Sequence, residues 1–430
     1  MQRHAPSRRQ LLKGGAAAAA LAAAPSVRAR AGRLRSEPLR IAAIGAANRG
    51  AANVSGVLGA GARIVALADV DAGHLAAGAG QVAADGGAAP ALFADWRRLL
   101  DAHEGALDGV VVSTADHTHF AVARAALARA LPVYVEKPLA HTVAETRELR
   151  RLAAEAGVPT QMGTQIHATE NYRRVVEAIR AGVIGDVQRV DIVCNKSWSD
   201  GRFGAPAEPP AQLDWDLWLG PAAARPYSSG VHPAHWRRFW DFGTGTVGDM
   251  ACHWLDLVHW ALELGAPTRV EVDGPEPDPV GTPPWMVARW TYARAGGGAP
   301  VEVAWFDGGK RPEDVELDHC HVWRGTRGRL VSTYGSLEVI LDDPDEVWTP
   351  PEPTLAASPG HYVEWLDAIR DEAPGRPLCG FEYAAPLTEA VLLSTVAFRA
   401  GEAIDWDAEK GVGSAGEEFL STPERDGWNV

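Results

Sequence analysis

The sequence predicts an α/β protein in two parts: an N-terminal doubly wound parallel sheet, then a C-terminal α/β domain on an open, mostly antiparallel sheet. Three observations carry this. Residues 39–161 alternate short β-branched runs with longer helical stretches, the signature of βαβ units. From Asp186 onward strand-like runs follow one another with few helices between them. A length of 430 residues exceeds what one hydrophobic core organises and suits two domains.

In the first part, Leu39 to Gly45 (LRIAAIG) reads as a buried strand leading through a Gly-rich turn into an Ala-rich helix. Arg63 to Ala68, Gly109 to Thr114 and Pro132 to Glu136 are further strands, and Ala121 to Ala130 and Val143 to Ala156 are helices. In the second part, the strands are Val187 to Cys194, Thr268 to Asp273, Trp285 to Tyr292, Val301 to Phe306, His321 to Arg324 and Gly328 to Thr333. Helices are expected at Gly248 to Leu264, Tyr362 to Asp371 and Leu387 to Ala400, and the polar stretch after Gly411 reads as an irregular arm. The division is therefore 1–31 signal, 32–161 nucleotide-binding domain, 162–410 substrate and oligomerisation domain, and 411–430 arm.

The opening residues form an export signal. Arg8-Arg9, preceded by Ser7 and followed by Leu11-Leu12-Lys13, resembles the twin-arginine motif; an Ala-rich stretch and Ala29-Arg30-Ala31 complete the order expected of a cleaved signal. Its apolar stretch of about eleven residues is shorter than the ~20 that span a bilayer, so no stable membrane insertion is expected. The first 31 residues carry six Lys or Arg and no acid; what remains has 35 basic against 55 acidic residues, a net charge of −20. Such a surface repels phosphate backbones and excludes nucleic acid as a partner. Cys194, Cys252, Cys320 and Cys379 are far apart and form no Cys-x-x-Cys, so buried free thiols are expected.

The turn Gly45-Ala46-Ala47-Asn48-Arg49-Gly50 has the form of the Rossmann G-x-G-x-x-G fingerprint with alanine in the middle. Gly45 permits the tight turn, Ala47 lets the backbone approach a pyrophosphate, and Gly50 allows close helix packing. Asp69, nineteen residues beyond Gly50 at the end of the second strand, would bind ribose hydroxyls and favour NAD over NADP, whereas Arg49 could meet a 2′-phosphate. Glu136-Lys137-Pro138 ends another strand, where ligands bind in doubly wound sheets; a lysine there can hydrogen-bond a substrate hydroxyl. Asp249, His253 and Asp256 share one helix face, an arrangement that lets a carboxylate hold the imidazole as a base. With His259 the same set also reads as a metal site.

Taken together, Gly45 to Gly50, Glu136-Lys137-Pro138, Gly163-Thr164-Gln165 and Asp249-x-x-x-His253-x-x-Asp256 resemble the Gfo/Idh/MocA oxidoreductase family over the whole chain after the signal. Leu213 to Gly220, Trp240 to Gly245 and Pro386 to Leu393 resemble its twin-arginine-exported members. The resemblance implies a Rossmann domain followed by an α/β domain whose open sheet mediates homo-oligomerisation as a dimer or tetramer. It implies that Lys137 and His253 are catalytic, that Asp249 supports the substrate hydroxyl and His253, and that Lys137-Pro138 is a cis peptide. Gly45, Ala47, Asn48, Arg49, Gly50, Asp69, Thr114, His117, His119, Glu136, Lys137 and Gln165 would then hold the cofactor. Metal is not a requirement of the family, and none is assigned.

On the substrate side, seven of the sixteen tryptophans lie between Trp198 and Trp260, and indole faces stack on sugar rings. His232, His235, Trp236 and Arg237 are expected to reach the cleft; Lys137, Tyr172, Trp236, Asp249 and His253 are the substrate-binding residues. An exported nicotinamide cofactor meets no pool to replace it, so NAD is expected to stay tightly bound and each cycle to restore its redox state. The activity expected is hydride transfer between a sugar, polyol or glycoside CH–OH and bound NAD. Two alternatives stand beside it: a glycosidase working by transient oxidation, elimination and re-reduction, with His253 or Tyr172 as base, and a non-catalytic NAD-holding carbohydrate-binding protein.

Overall fold

Runs such as RIAAI and GVVV lack polar alternation because both faces of their sheet are covered. The structure, a computed structural model, describes residues 37–294, 297–371 and 377–428; the signal expected at 1–31 lies outside them. Six strands, β1 (Arg40–Ile44), β2 (Arg63–Ala68), β3 (Ala91–Phe93), β4 (Gly109–Val112), β5 (Val133–Val135) and β6 (Thr160–Met162), pair in the order β3-β2-β1-β4-β5-β6. All these pairs are parallel. The connecting helices are α1 (Arg49–Gly59), α2 (Ala72–Ala84), α3 (Trp96–Ala102), α4 (Asp116–Ala128) and α5 (Val143–Ala156). Asp71 caps α2, and α5 opens on a Thr142/Glu145 capping box and closes on Gly157 in the left-handed region. The strand order reverses between β1 and β4, which opens a crevice at their C-terminal ends.

The second half begins with α6 (Glu170–Arg180), β7 (Val187–Cys194), α7 (Trp215–Leu219) and α8 (Gly245–Leu262). It continues through β8 (Arg269–Asp273), β9 (Val287–Tyr292), β10 (Val301–Asp307), β11 (His319–Gly325), β12 (Gly328–Ser332) and β13 (Leu337–Leu341). The chain ends with α9 (His361–Arg370), α10 (Phe381–Ala400), β14 (Ile404–Asp407) and β15 (Val412–Gly413). The nine strands run β13-β12-β11-β7-β10-β9-β8-β14-β15, and only β7–β10 is parallel. The first sheet is thus parallel and the second mixed, mostly antiparallel, as the strand pattern indicates. All four cysteines are buried and free.

Several elements differ from the sequence reading. The three-residue β3 and β6 carry no β-branched run to reveal them, and β13 and β14 are short and partly exposed. Helix α10 begins at Phe381 and contains Pro386, which a sequence reader takes for a boundary. The described residues after Gly411 are irregular over most of their length, yet they pack onto the body of the chain. Gly413 pairs with Trp406, and Trp428 is buried beside Trp96 under the Arg97 guanidinium. Helix α9 follows the second sheet in sequence, yet its Trp365, Leu366 and Ile369 pack with Leu39, Ile41, Val111 and Tyr134 of the first. The Trp365 side chain is fully buried. Trp365→Ala leaves a cavity beneath β1 and should cost about 3–5 kcal/mol in denaturant unfolding; a loss below about 1 kcal/mol would show that α9 does not brace that sheet.

Candidate active site

The crevice between β1 and β4 opens into a cleft of about 390 Å³, lined from both halves of the chain. Gly45 ends β1 at φ +88°, a conformation glycine adopts freely, and a Cβ there would sit 2.4 Å from the Ser113 carbonyl oxygen. A Cβ on Gly50 would sit 2.1 Å from the Gly45 carbonyl oxygen. The two glycines let the turn fold onto the start of α1, whose N-terminal amides face the cleft end of the sheet. Ala47, Asn48, Arg49, Asp69, Thr114 and His117 line the same cleft. Asp69 Oδ2 accepts from the Ala46 N–H at 2.8 Å and Oδ1 from the Asp71 N–H at 3.0 Å, which fixes an acid beside the turn after β1. These residues fit a dinucleotide.

Arg49 is engaged with an acid of the neighbouring strand rather than with Asp69. Its Nε donates to Glu136 Oε1 at 3.0 Å, and that oxygen also accepts from Asn53 at 3.0 Å and Gln165 at 2.8 Å. Gln165 additionally donates to the Tyr134 hydroxyl at 2.9 Å. Glu136 is thereby the hub that ties α1, β5 and the turn after β6 together. Asn53 was not singled out from the sequence; its place on the buried face of α1 is the only local signal.

Lys137, Asp249 and His253 meet at the far end of the cleft. Lys137 Nζ donates to Asp249 Oδ1 at 2.5 Å and to the Asp249 carbonyl at 2.7 Å, and Lys137-Pro138 is cis. Asp249 also ion-pairs with Arg237 Nε at 2.8 Å and accepts from Trp198 Nε1 at 2.8 Å. Burial alone would raise its pKa, but Lys137 and Arg237 more than reverse this and hold the carboxyl well below the usual range. With both oxygens so engaged, Asp249 does not hydrogen-bond His253, contrary to the role expected of it. His253 Nδ1 is buried and unpartnered. Burial first, and the Lys137 charge second, push its pKa well down, so the imidazole is neutral.

Other expected residues fall elsewhere. Tyr172 is fully buried and does not line the cleft; its hydroxyl donates to the His253 carbonyl at 2.9 Å, and burial raises its pKa strongly. His119 sits behind the cleft, between the Pro138 carbonyl (2.8 Å) and the Thr114 carbonyl (3.1 Å), and fixes the Lys137-Pro138 turn rather than the cofactor. Asp256 turns away from the cleft to His167 at 2.9 Å, and His259 meets the Tyr292 hydroxyl at 3.0 Å, so the four-residue metal reading on α8 is not assembled. His235 is exposed. Trp236 lines the cleft with the Arg237 guanidinium stacked 4.0 Å above it, and Trp218 and His232 join them. Trp254 packs in the core instead.

Comparison with known proteins places the fold in a family. Residues 39–164 match the model described as oxidoreductase family, NAD-binding Rossmann fold; 179–347 match its C-terminal alpha/beta domain. Residues 5–25 match the twin-arginine translocation signal. The fold and site define an exported, NAD-binding oxidoreductase. The chain belongs to the Gfo/Idh/MocA family. One curated relative is inositol 2-dehydrogenase 1 of Saccharopolyspora erythraea, 36% identical over 151 residues, 34% of this chain and 43% of that protein. The match thus spans less than half of the relative's length. The WlbA dehydrogenase of Bordetella pertussis, solved with NADH and UDP-GlcNAcA, is 17% identical, covering 86% of this chain and 99% of its own at a TM-score of 0.61. Aldose-aldose oxidoreductase of Caulobacter crescentus, complexed with glycerol, is 16% identical over 86% of this chain and 100% of its own, TM-score 0.60. At these identities the two structures speak for the fold.

Beneath the site, Asp116 at the start of α4 is buried, with Oδ2 accepting from the Thr244 hydroxyl at 3.1 Å and Oδ1 unpartnered. Burial raises its pKa to about 6. An unfolded aspartate ionises near 3.9, so between about pH 4 and 6 the native chain keeps a proton that the unfolded chain has lost. Stability therefore falls as pH rises through that window. Asp116→Asn removes the slope, and the variant should gain on the order of 2 kcal/mol over wild type on going from pH 4 to pH 7.5. Denaturant unfolding at the two pH values checks this; an equal difference at both contradicts it.

Proposed function

We propose that this protein oxidises and reduces a CH–OH group of a sugar, polyol or glycoside outside the cytoplasm, in the periplasm, with NAD that stays bound through turnover. The observation that carries the reading is the Lys137–Asp249 ion pair beside the neutral, unpartnered His253 at one end of the dinucleotide cleft. Gly45, Ala47, Gly50 and Asp69 would hold NAD, which would supply a hydride acceptor and donor for the carbinol carbon. Lys137 hydrogen-bonds the substrate hydroxyl oxygen and stabilises its developing negative charge. His253 accepts the hydroxyl proton through a ring nitrogen and gives it back on the return step. Asp249 keeps Lys137 in place. Trp236 and Trp218 offer flat apolar faces for a sugar ring.

Retention of the cofactor is supported by the long segment between β7 and α8. Its Gln212 carbonyl accepts from the Ala72 N–H at 2.8 Å and the Asp214 N–H donates to the Val70 carbonyl at 2.9 Å, so the second half is clasped to the ribose end of the first. A closed redox cycle on two sugars fits best. The glycosidase alternative loses Tyr172 as a base and rests on His253 alone, and a purely NAD-holding protein leaves the Lys137–Asp249–His253 grouping without a use. Self-association as a dimer or tetramer through the second sheet is part of the same reading. The acidic surface favours an uncharged substrate.

Denaturing the purified protein should release NAD, and labelled NAD in solution should exchange with it slowly compared with turnover. Lys137→Ala and His253→Ala should each lower the rate ~10²–10⁴-fold with bound NAD retained. Near-full turnover in both variants, or rapid exchange, would overturn the assignment. With glycosides and no added NAD, oxidised sugar supports the oxidoreductase, whereas free aglycone supports the glycosidase.

A further inference from the structure

At the ribose end of the cleft, three donor groups converge from two distant parts of the chain. Asp71 caps α2, His74 lies in the first turn of that helix, and His232 comes from the segment between β7 and α8. Asp71 Oδ1 is taken by the Gly73 and His74 N–H groups at 2.8 and 3.1 Å, which leaves Oδ2 facing His232 Nε2 at 3.3 Å. The two imidazoles lie 5.5 Å apart, centre to centre, and tilt by 43°. One donor atom of each residue falls within 4.8 Å of the others. The His232 and Asp71 side chains are only 10% and 8% exposed, and His232 Nδ1 is buried with no hydrogen-bond partner.

The charge around them is unbalanced. Asp69 stands behind, its Oδ1 3.8 Å from His74 Nδ1, and its carboxylate and that of Asp71 repel each other. Among the described residues, the ion pairs of these two acids are to His74 and His232 and to no Lys or Arg. A cation between them would relieve both carboxylates. Two imidazoles and a carboxylate suit a zinc-type ion, whereas magnesium and calcium prefer an all-oxygen shell. Around a tetrahedral zinc with bonds of about 2.0–2.1 Å, neighbouring donors stand about 3.3–3.4 Å apart. The Asp71–His232 spacing already equals that edge.

We propose that Asp71, His74 and His232 form a site for a divalent transition-metal ion of the zinc type. The ion fastens the segment between β7 and α8 onto the dinucleotide-binding half, over the ribose end of the cleft. Three protein donors leave a fourth position for water. The ligating imidazole nitrogens must be unprotonated, so affinity falls at acid pH. The consequence for cofactor retention rests on the NAD reading above; the metal site itself does not.

The test uses the purified holoprotein, dialysed against a chelator and titrated with zinc chloride by calorimetry, with bound metal counted by mass spectrometry after gel filtration. One equivalent of zinc is expected, and at least tenfold weaker binding in His74→Gln and in His232→Gln. Circular dichroism checks that each variant is folded, and cobalt in wild type should show the visible absorption of a four-coordinate site, which keeps the test open should a variant fail to fold. Zinc should also slow the release of bound nucleotide in wild type and not in the variants. No saturable zinc uptake, or uptake unchanged in both variants, overturns the site. Zinc uptake by a chain that releases no NAD would support the site while refuting the NAD reading, so the two failures are distinguishable.

Discussion

The Lys137–Asp249 ion pair joins the end of β5 to the first turns of α8, and so links the parallel sheet to the helix that carries His253. Both side chains are nearly buried, 10% and 11% exposed, where an unpaired charge is costly. The pair is therefore a constraint on the whole arrangement. It requires the two halves to dock at one separation, and it requires the Lys137 ammonium to stay in the cleft. The same cation, with burial, keeps His253 neutral. Arg237 and Trp198 complete the shell around Asp249 from the long segment between β7 and α8, so that segment is tied to both ends of the cleft.

Much of this was legible because the chemistry sits in short, local patterns. The turn from Gly45 to Gly50 follows a strand and opens a helix, and Asp69 ends the next strand, so their convergence follows from βαβ geometry alone. Lys137 was legible for the same reason, as the last residue before a turn at a strand's C-terminal edge. What the sequence could not convey was which groups a side chain faces once the halves dock. Helical spacing put Asp249 and His253 on one face and suggested that the carboxylate orients the imidazole, but Lys137, Arg237 and Trp198 arrive from elsewhere and occupy both its oxygens. Tyr172 failed for a related reason: its helix follows Gln165 closely, yet its hydroxyl points at the α8 backbone behind His253.

Pairing across long sequence separations explains the remaining differences. Helix α9 returns to cover the first sheet, and Trp428 closes over Trp96, so the chain's last third braces the domain with which it began. His167, stacked on Trp260, is held as an imidazolium by Asp256 against the effect of burial, a pairing of residues 89 positions apart. The His167 and Trp428 contacts are polar or aromatic and singular, without the periodicity that marks a strand or an amphipathic helix.

A double-mutant cycle on stability measures the central interaction most directly. Lys137→Met leaves Asp249 still ion-paired with Arg237, whereas Asp249→Leu leaves the Lys137 ammonium buried without a carboxylate; the second should cost roughly 3 kcal/mol in denaturant unfolding and the first less. The double variant removes both charges and should be destabilised by less than the sum of the two, with a coupling of at least about 1 kcal/mol. If the two losses simply add, the ion pair does not join the halves, and the account of why Lys137 stays in the cleft is wrong.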